Sequence, residues 1–191
     1  MKVFVIGGVA AGTKTAAKLK RENRDAEVTI LTKDKDISYA GCGLPYYVGN
    51  LIETREELVV NTPAKFAGLT GVTVHTNREA VSLDPASKTL QAKNLETNET
   101  ETYSYDRLVI ATGASPVIPP IPGTDKKGVF KMRTPDDAVS MRSYIETENV
   151  KKAVVIGAGF IGLEVAENLK AQGLSVTVID IASQVMPNIL D

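Results

Sequence analysis

Val3-Phe4-Val5-Ile6-Gly7-Gly8-Val9-Ala10-Ala11-Gly12 opens the chain, and its reading decides the fold. The first four residues are a short apolar run rich in β-branched side chains, the kind that a parallel sheet buries on both faces. A glycine-rich turn follows at once. From Thr13 to Glu22, alanines and a leucine fall at helical spacing with lysines on the other face. A second apolar run, Val28-Thr29-Ile30-Leu31, comes next. Strand, glycine turn, helix, strand is the opening of a dinucleotide-binding unit, in which small residues let a pyrophosphate lie against backbone N–H groups at the helix N-terminus. Two positions depart from the usual pattern. Val9 stands at the middle glycine, and Thr32 stands where an acid would meet the ribose hydroxyls.

The same pattern returns further along. Lys2, Val5, Ile6, Gly7, Gly12, Ala16, Leu19 and Lys20 recur as Lys152, Val155, Ile156, Gly157, Gly162, Ala166, Leu169 and Lys170. This second copy carries the full fingerprint, Gly157-Ala158-Gly159-Phe160-Ile161-Gly162, and its strand Val176-Thr177-Val178-Ile179 ends in Asp180. The interval from Gly162 to that acid is close to the ~20 residues expected in such units. An acid there accepts from the adenosine 2′-hydroxyl and repels a 2′-phosphate, which favours NADH over NADPH. Two such units imply two nucleotides.

Between the copies, Thr62-Pro63 reads as a helix start, with Thr62 as N-cap and Pro63 at the first helical position. Val72 to Ser104 alternates apolar and polar residues, broken at Asp84-Pro85-Ala86-Ser87 and near Thr97-Asn98, and predicts a small antiparallel meander. Leu108-Val109-Ile110-Ala111 predicts another buried strand, ending at Thr112-Gly113. The stretch from Ser115 to Gly123 carries Pro116, Pro119, Pro120 and Pro122 and reads as an extended connector at a domain boundary. Thr134-Pro135-Asp136-Asp137 starts a helix that runs to about Thr147. The expected architecture is α/β, with two Rossmann-like units and a small antiparallel meander.

Ser38-Tyr39-Ala40-Gly41-Cys42-Gly43-Leu44-Pro45-Tyr46-Tyr47 holds the only cysteine of the chain. A lone cysteine closes no internal disulfide, so an active Cys42 must cycle through a sulfenic acid or a mixed disulfide with an outside thiol. Flanking glycines admit close backbone approach to a ligand, and Pro45 suits the first turn of a helix whose dipole favours a thiolate. The alternative is a small buried hydrophobe.

The net charge of −1 over 191 residues gives no basic patch for nucleic acid or an anionic membrane. One cysteine excludes a disulfide framework and suits a reducing, cytoplasmic location. The apolar N-terminal run is a strand rather than a signal peptide or membrane span. His75, alone in an alternating strand, is given no role, and no metal-ligand set is read.

The sequence resembles the flavoprotein pyridine nucleotide-disulfide oxidoreductases, and among them the single-cysteine group that includes CoA-disulfide reductase, NADH oxidase and NADH peroxidase. The resemblance covers the whole chain and is carried by Gly7 to Gly12, Ile37 to Tyr47, Thr112-Gly113 and Gly157 to Glu164. In the two-cysteine branches a partner cysteine stands at the position of Tyr47 or of Pro45. Peroxidases and water-forming oxidases typically carry a histidine at the position of Ala10, so its absence inclines the chain toward the CoA-disulfide or persulfide reductases. In those relatives an asparagine commonly stands where this chain has Gly41.

The resemblance implies roles residue by residue. Gly7, Gly8, Ala11 and Gly12 would hold the FAD pyrophosphate, and Thr32 and Lys33 would flank its adenosine. The backbone at Ala80 would meet the adenine, and Thr112 and Gly113 would close over the cofactor. Gly157, Gly159, Ile161, Gly162 and Asp180 would bind NADH, with Glu164 near the nicotinamide and flavin. Lys18, Arg21 and Ser38 stand where relatives contact CoA, although Lys18 and Arg21 also suit a solvated helix face. The implied activity runs from NAD(P)H through FAD to Cys42, which reduces a small disulfide or persulfide. The alternatives are an oxidase that passes electrons to dioxygen with Cys42 as a sulfenate, and a nucleotide-binding module without catalysis. The expected organisation is residues 1–113 as the first segment of an FAD-binding domain, 114–150 as connector and helix, and 151–191 as the incomplete start of an NAD-binding domain. Relatives then finish the FAD domain and add a dimerisation domain, so the chain is expected to be the N-terminal part of a homodimeric protein.

Overall fold

The computed structural model describes residues 1–186 and 189, so the last part of the expected 151–191 segment, at 187, 188, 190 and 191, lies outside the described residues. In chain order the elements are β1 (Lys2–Ile6), α1 (Ala10–Glu22), β2 (Glu27–Leu31), a 3-10 turn (Gly41–Gly43), α2 (Leu44–Val48), α3 (Arg55–Leu58), α4 (Pro63–Thr70) and β3 (Thr73–His75). They continue with β4 (Arg78–Asp84), β5 (Thr89–Asn94), β6 (Thr100–Ser104), β7 (Arg107–Ile110), α5 (Pro135–Thr147), β8 (Lys152–Ile156), α6 (Phe160–Ala171) and β9 (Ser175–Ile179). Two compact units result. One comprises Met1–Tyr39 and Val59–Ala114, and the other comprises Ala40–Leu58 and the chain from Ser115 onward.

The first unit is a parallel sheet in the order β3-β2-β1-β7. Because side chains alternate along a strand, Val3 and Val5 of β1 point to one face and join Val28, Ile30, Ala16, Phe66 and Val72. Phe4 points to the other face and meets Leu31, Leu90 and Ala92, with its ring 5.1 Å from that of Tyr103. The antiparallel meander β4-β5-β6 supplies that second cover. Burial on both faces explains why β1 and β2 read as continuous apolar runs.

The expected meander from Val72 is corrected at its start. Thr73–His75 pairs in parallel with β2, with Thr29 opposite Thr73, and only β4 onward is antiparallel. Asn77, in the left-handed region at φ 54°, turns the chain between the two arrangements. The helix at the first glycine turn also begins earlier than the alanine spacing suggests, at Ala10 rather than Thr13. Thr62 caps α4 as expected by accepting from the Lys65 N–H at 3.2 Å.

The second unit repeats strand, helix, strand as β8-α6-β9, with Val155 opposite Val178 in parallel register. Residues 40–58 group with this unit rather than with the first, through Leu44, Tyr47, Val48 and Leu58, which share a core with Ala138, Val165, Leu169 and Leu174. On β8 and β9, the face bearing Val154, Ile156 and Ile179 is exposed. Helix α5 has a reciprocal cap, in which Thr134 Oγ1 accepts from the Asp137 N–H at 3.2 Å and the Asp137 carboxylate accepts from the Thr134 N–H at 2.8 Å. Thr134→Ala is expected to remove about 1 kcal/mol of stability. Thermal denaturation should show this as a loss of about 2–4 °C in Tm, and an unchanged Tm would mean that the cap carries no weight.

Candidate functional site

The first glycine cradle lies at the C-terminal ends of β1, β2 and β7. Gly7 turns the chain out of β1 at φ 113°, and its N–H donates to the Leu31 carbonyl at 2.8 Å. A Cβ on Gly12 would run into the Gly7 carbonyl oxygen, so only glycine allows the helix to start this close beneath the turn. Gly8 lies over the Thr32 and Ile37 side chains. Val9, the departure from the fingerprint, sits at φ −104°, a negative value that does not require glycine. No side chain caps α1, so its first-turn N–H groups, Ala11 and Gly12 among them, stay open to an anion.

The second cradle has the same construction. Gly157 turns at φ 107°, its N–H donates to the Ile179 carbonyl at 2.8 Å, and a Cβ on Gly162 would strike the Gly157 carbonyl oxygen. Gly159 stands at the N-cap of α6 without a side-chain cap. Both sets of residues fit the pyrophosphate of a dinucleotide. Asp180 closes the second turn, its carboxylate accepting from the Ala158 N–H at 2.6 Å and the Ala182 N–H at 2.7 Å. The Ala158 bond first, then the Ala182 bond, hold that carboxyl below its ordinary value. A depressed folded value makes its contribution present through the neutral range and lost as the pH falls through that value. Ile161 is exposed, and Glu164 is half-buried on α6 with its carbonyl accepting from Asn168 Nδ2 at 2.8 Å.

Other expected site residues are placed as follows. Thr32 is buried, its N–H donating to the His75 carbonyl and its carbonyl accepting from the Arg78 N–H. Lys33 is exposed, Ala80 sits where a bulge interrupts the β4–β5 register, and Thr112 and Gly113 follow β7 with Thr112 beside Gly7. Of the three expected CoA contacts, Lys18 and Arg21 stand one turn apart on α1, and Ser38 lies in the stretch after β2. Lys18 pairs with Glu22 at 2.6 Å on the exposed side of α1. Arg21 lines a shallow basic depression with Lys20, Arg24 and Thr70 that includes neither Lys18 nor Ser38. Ser38, in the left-handed region at φ 50°, donates its N–H to the Gly8 carbonyl at 2.8 Å.

Cys42 is exposed, in the 3-10 turn just ahead of α2. The small buried hydrophobe is therefore not what this side chain is. Gly43 is buried, and a Cβ there would press on Ile52 and Leu58, whereas Gly41 faces open space. Pro45 lies in the first turn of α2, as expected, but that helix has only five residues. The residues that the sequence reading missed are those that seat this segment. Arg142 of α5 donates to its backbone carbonyls, Gln172 after α6 donates to the Val48 carbonyl, and Asn168 backs Gly49.

Among the described residues, no helix is long and apolar enough to cross a membrane, and no group of three or more His, Cys, Asp or Glu side chains could hold a metal. The model of the pyridine nucleotide-disulphide oxidoreductase family matches residues 1–191. An NADH oxidase of Methanocaldococcus jannaschii is 39% identical over 191 residues, covering 100% of this chain and 42% of that protein. A coenzyme A disulfide reductase of Staphylococcus haemolyticus is 39% identical over 178 residues, covering 93% of this chain and 40% of that protein. The solved structure of an NAD-dependent persulfide reductase from A. fulgidus matches with a TM-score of 0.95 at 42% identity, covering 100% of this chain and 35% of that one. The chain thus spans 40–42% of the length of these two curated relatives.

Proposed function

The chain belongs to the pyridine nucleotide-disulphide oxidoreductase family, and on that premise we propose that it carries the nucleotide cradles and the redox cysteine of a flavoprotein that takes electrons from NADH and reduces a low-molecular-weight disulfide, such as CoA disulfide, or a persulfide. The observation that carries this reading is the exposed Cys42, on a segment seated against the helix that begins at the second glycine cradle. A buried thiol could not meet a soluble disulfide.

Gly7, Gly8, Ala11 and Gly12 would hold the FAD pyrophosphate through backbone N–H groups, with Thr32 and Thr112 beside the turn, and Lys33, Ala80 and Gly113 would contribute to holding the rest of the cofactor. Gly157, Gly159, Ile161 and Gly162 would hold NADH likewise, with Glu164 on the same helix. Bound flavin supplies a two-electron relay between a hydride donor and sulfur. At Cys42 the chemistry is nucleophilic. The thiolate attacks one sulfur of the disulfide RS–SR, the S–S bond breaks, one RS⁻ leaves, and Cys42–S–S–R remains. Two electrons and one proton then regenerate the thiolate and release RSH.

Asp180 directs the choice of nucleotide. Asp180→Asn keeps an acceptor for the Ala158 N–H and removes the charge that a 2′-phosphate would face, so the preference for NADH over NADPH in kcat/KM is expected to fall by about tenfold or more. An unchanged ratio would remove Asp180 from that role. The function itself is tested by anaerobic NADH consumption with CoA disulfide present and free thiols counted, for which two thiols per NADH are expected. A second reading, favoured by the 39% identical relative named NADH oxidase, has dioxygen as acceptor. NADH consumed without thiol, and only in air, would decide for it.

A further inference from the structure

The Cys42 side chain is exposed, so its placement depends on the backbone of its turn, which the buried Gly43 holds by donating its N–H to the Ala40 carbonyl at 2.9 Å. The orientation of that turn is set by the segment that follows, whose Leu44, Tyr47, Val48 and Leu58 are buried. That segment is a loop closed at its base, where the Ala40 N–H donates to the Leu58 carbonyl at 2.7 Å. At its middle, the end of α2 is wound up by backbone bonds, the Pro45 carbonyl accepting from Gly49 at 2.9 Å, the Tyr46 carbonyl from Leu51 at 2.9 Å and the Tyr47 carbonyl from Asn50 at 3.2 Å. Among the described residues, no such bond ties the turn at residues 52 and 53 to α5 or α6 behind it.

Arg142 supplies that tie from α5. Its Nη1 donates to the carbonyls of Tyr47 at 3.3 Å, Ile52 at 3.2 Å and Glu53 at 3.0 Å. Two N–H bonds facing three acceptors mean that one is shared. Nε pairs with Glu146 at 3.2 Å, which fixes the rotamer, and the guanidinium lies 4.7 Å from the centre of the Tyr47 ring. The side chain is only 21% exposed, so these charge-assisted bonds are poorly screened by water. Gln172, at the end of α6, takes the Val48 carbonyl, and Arg55 of the loop pairs with Asp136 of α5 at 3.1 Å.

We propose that Arg142 is the positioning residue of Cys42, a cationic latch that gathers the carbonyls at 47, 52 and 53 and so holds α2 and the cysteine turn ahead of it in one orientation. This rests on Cys42 being the redox residue only for its effect on turnover. A missing latch leaves the thiol in place but spreads its orientation, and misplacement by about 1 Å costs rates of order a hundredfold in enzymes.

The test uses the flavin-loaded protein with Arg142→Met and Arg142→Lys. In Arg142→Met, amide exchange across residues 47–53 is expected to quicken by about tenfold or more while the strands of both units keep their protection. The kcat for thiol release falls by about tenfold or more with KM for NADH within about twofold of its starting value. Arg142→Lys, which keeps charge and donors, returns both readouts toward the parent protein. Unchanged exchange at 47–53 overturns the latch, and so does a loss of protection spread evenly over the protein. Should Arg142→Met fail to fold, Arg142→Gln, which keeps part of the stem and loses the charge and the fork to the three carbonyls, takes its place, and the same local exchange decides. The exchange readout is independent of turnover. Thiol release surviving Cys42→Ser would sink the redox reading and leave the latch standing, whereas unchanged exchange in Arg142→Met would do the reverse.

Discussion

Cys42→Ser is expected to lower disulfide-dependent thiol release by about a thousandfold or more while NADH still bleaches the flavin absorbance at its original rate. A serine hydroxyl forms no S–S bond with substrate and accepts no electron pair from the cofactor, so the covalent step is lost outright rather than slowed. The turn itself tolerates the change, because the exposed side chain is close in size to serine and both flanking glycines are untouched. The variant therefore separates the nucleotide half of the reaction from the sulfur half. Thiol release within about tenfold of the parent rate would mean that electrons reach the disulfide without Cys42.

The second large effect concerns the paired cradles. At Gly12 and at Gly162 an added Cβ meets a backbone carbonyl oxygen, that of Gly7 or Gly157, and a backbone atom in a tight turn cannot rotate away as a side chain can. Overpacking of this kind costs about 3 kcal/mol, or about a hundredfold in affinity where the ligand needs the undistorted turn. Gly12→Ala should yield protein with little or no flavin. Gly162→Ala should keep its flavin and lose its response to NADH at ordinary concentrations. Flavin content by absorbance and NADH titration by fluorescence read the two outcomes. If both variants lost the same ligand, or neither lost any, the assignment of one nucleotide to each cradle would fail.

Much of this was legible in the sequence because the decisive features are local. Glycines at fixed spacing, an acid at the end of a strand, and Thr-Pro helix starts each state their own geometry, and the cradles, Asp180 and the caps at Thr62 and Thr134 follow from them. Four things were not legible. Thr73–His75 is three residues long, and its alternation is the same whether it pairs in parallel or antiparallel, so only its partner strand decides. The start of α1 at Ala10 carries no side-chain cap, which is what leaves it open to an anion and also what hides it from a search for caps. Arg142 looks in sequence like an ordinary surface cation paired with Glu146 one turn on, and its other hydrogen-bond partners are backbone carbonyls, which have no signature in sequence. The grouping of residues 40–58 with α5 and α6 is likewise a long-range packing fact. As for CoA, the resemblance is what supports a contact at Lys18, Arg21 and Ser38, and Lys18 pairs with Glu22 in the structure.

The most direct measurement is the mass of the Cys42 peptide. The flavin-loaded protein, reduced and then freed of reductant, is mixed with CoA disulfide without NADH, quenched in acid and digested. The account predicts a peptide carrying one disulfide-linked CoA, with one equivalent of free CoA released, and loss of that adduct when NADH is added before the quench. An unmodified Cys42 peptide in a protein that nonetheless turns NADH and CoA disulfide into thiol would contradict it.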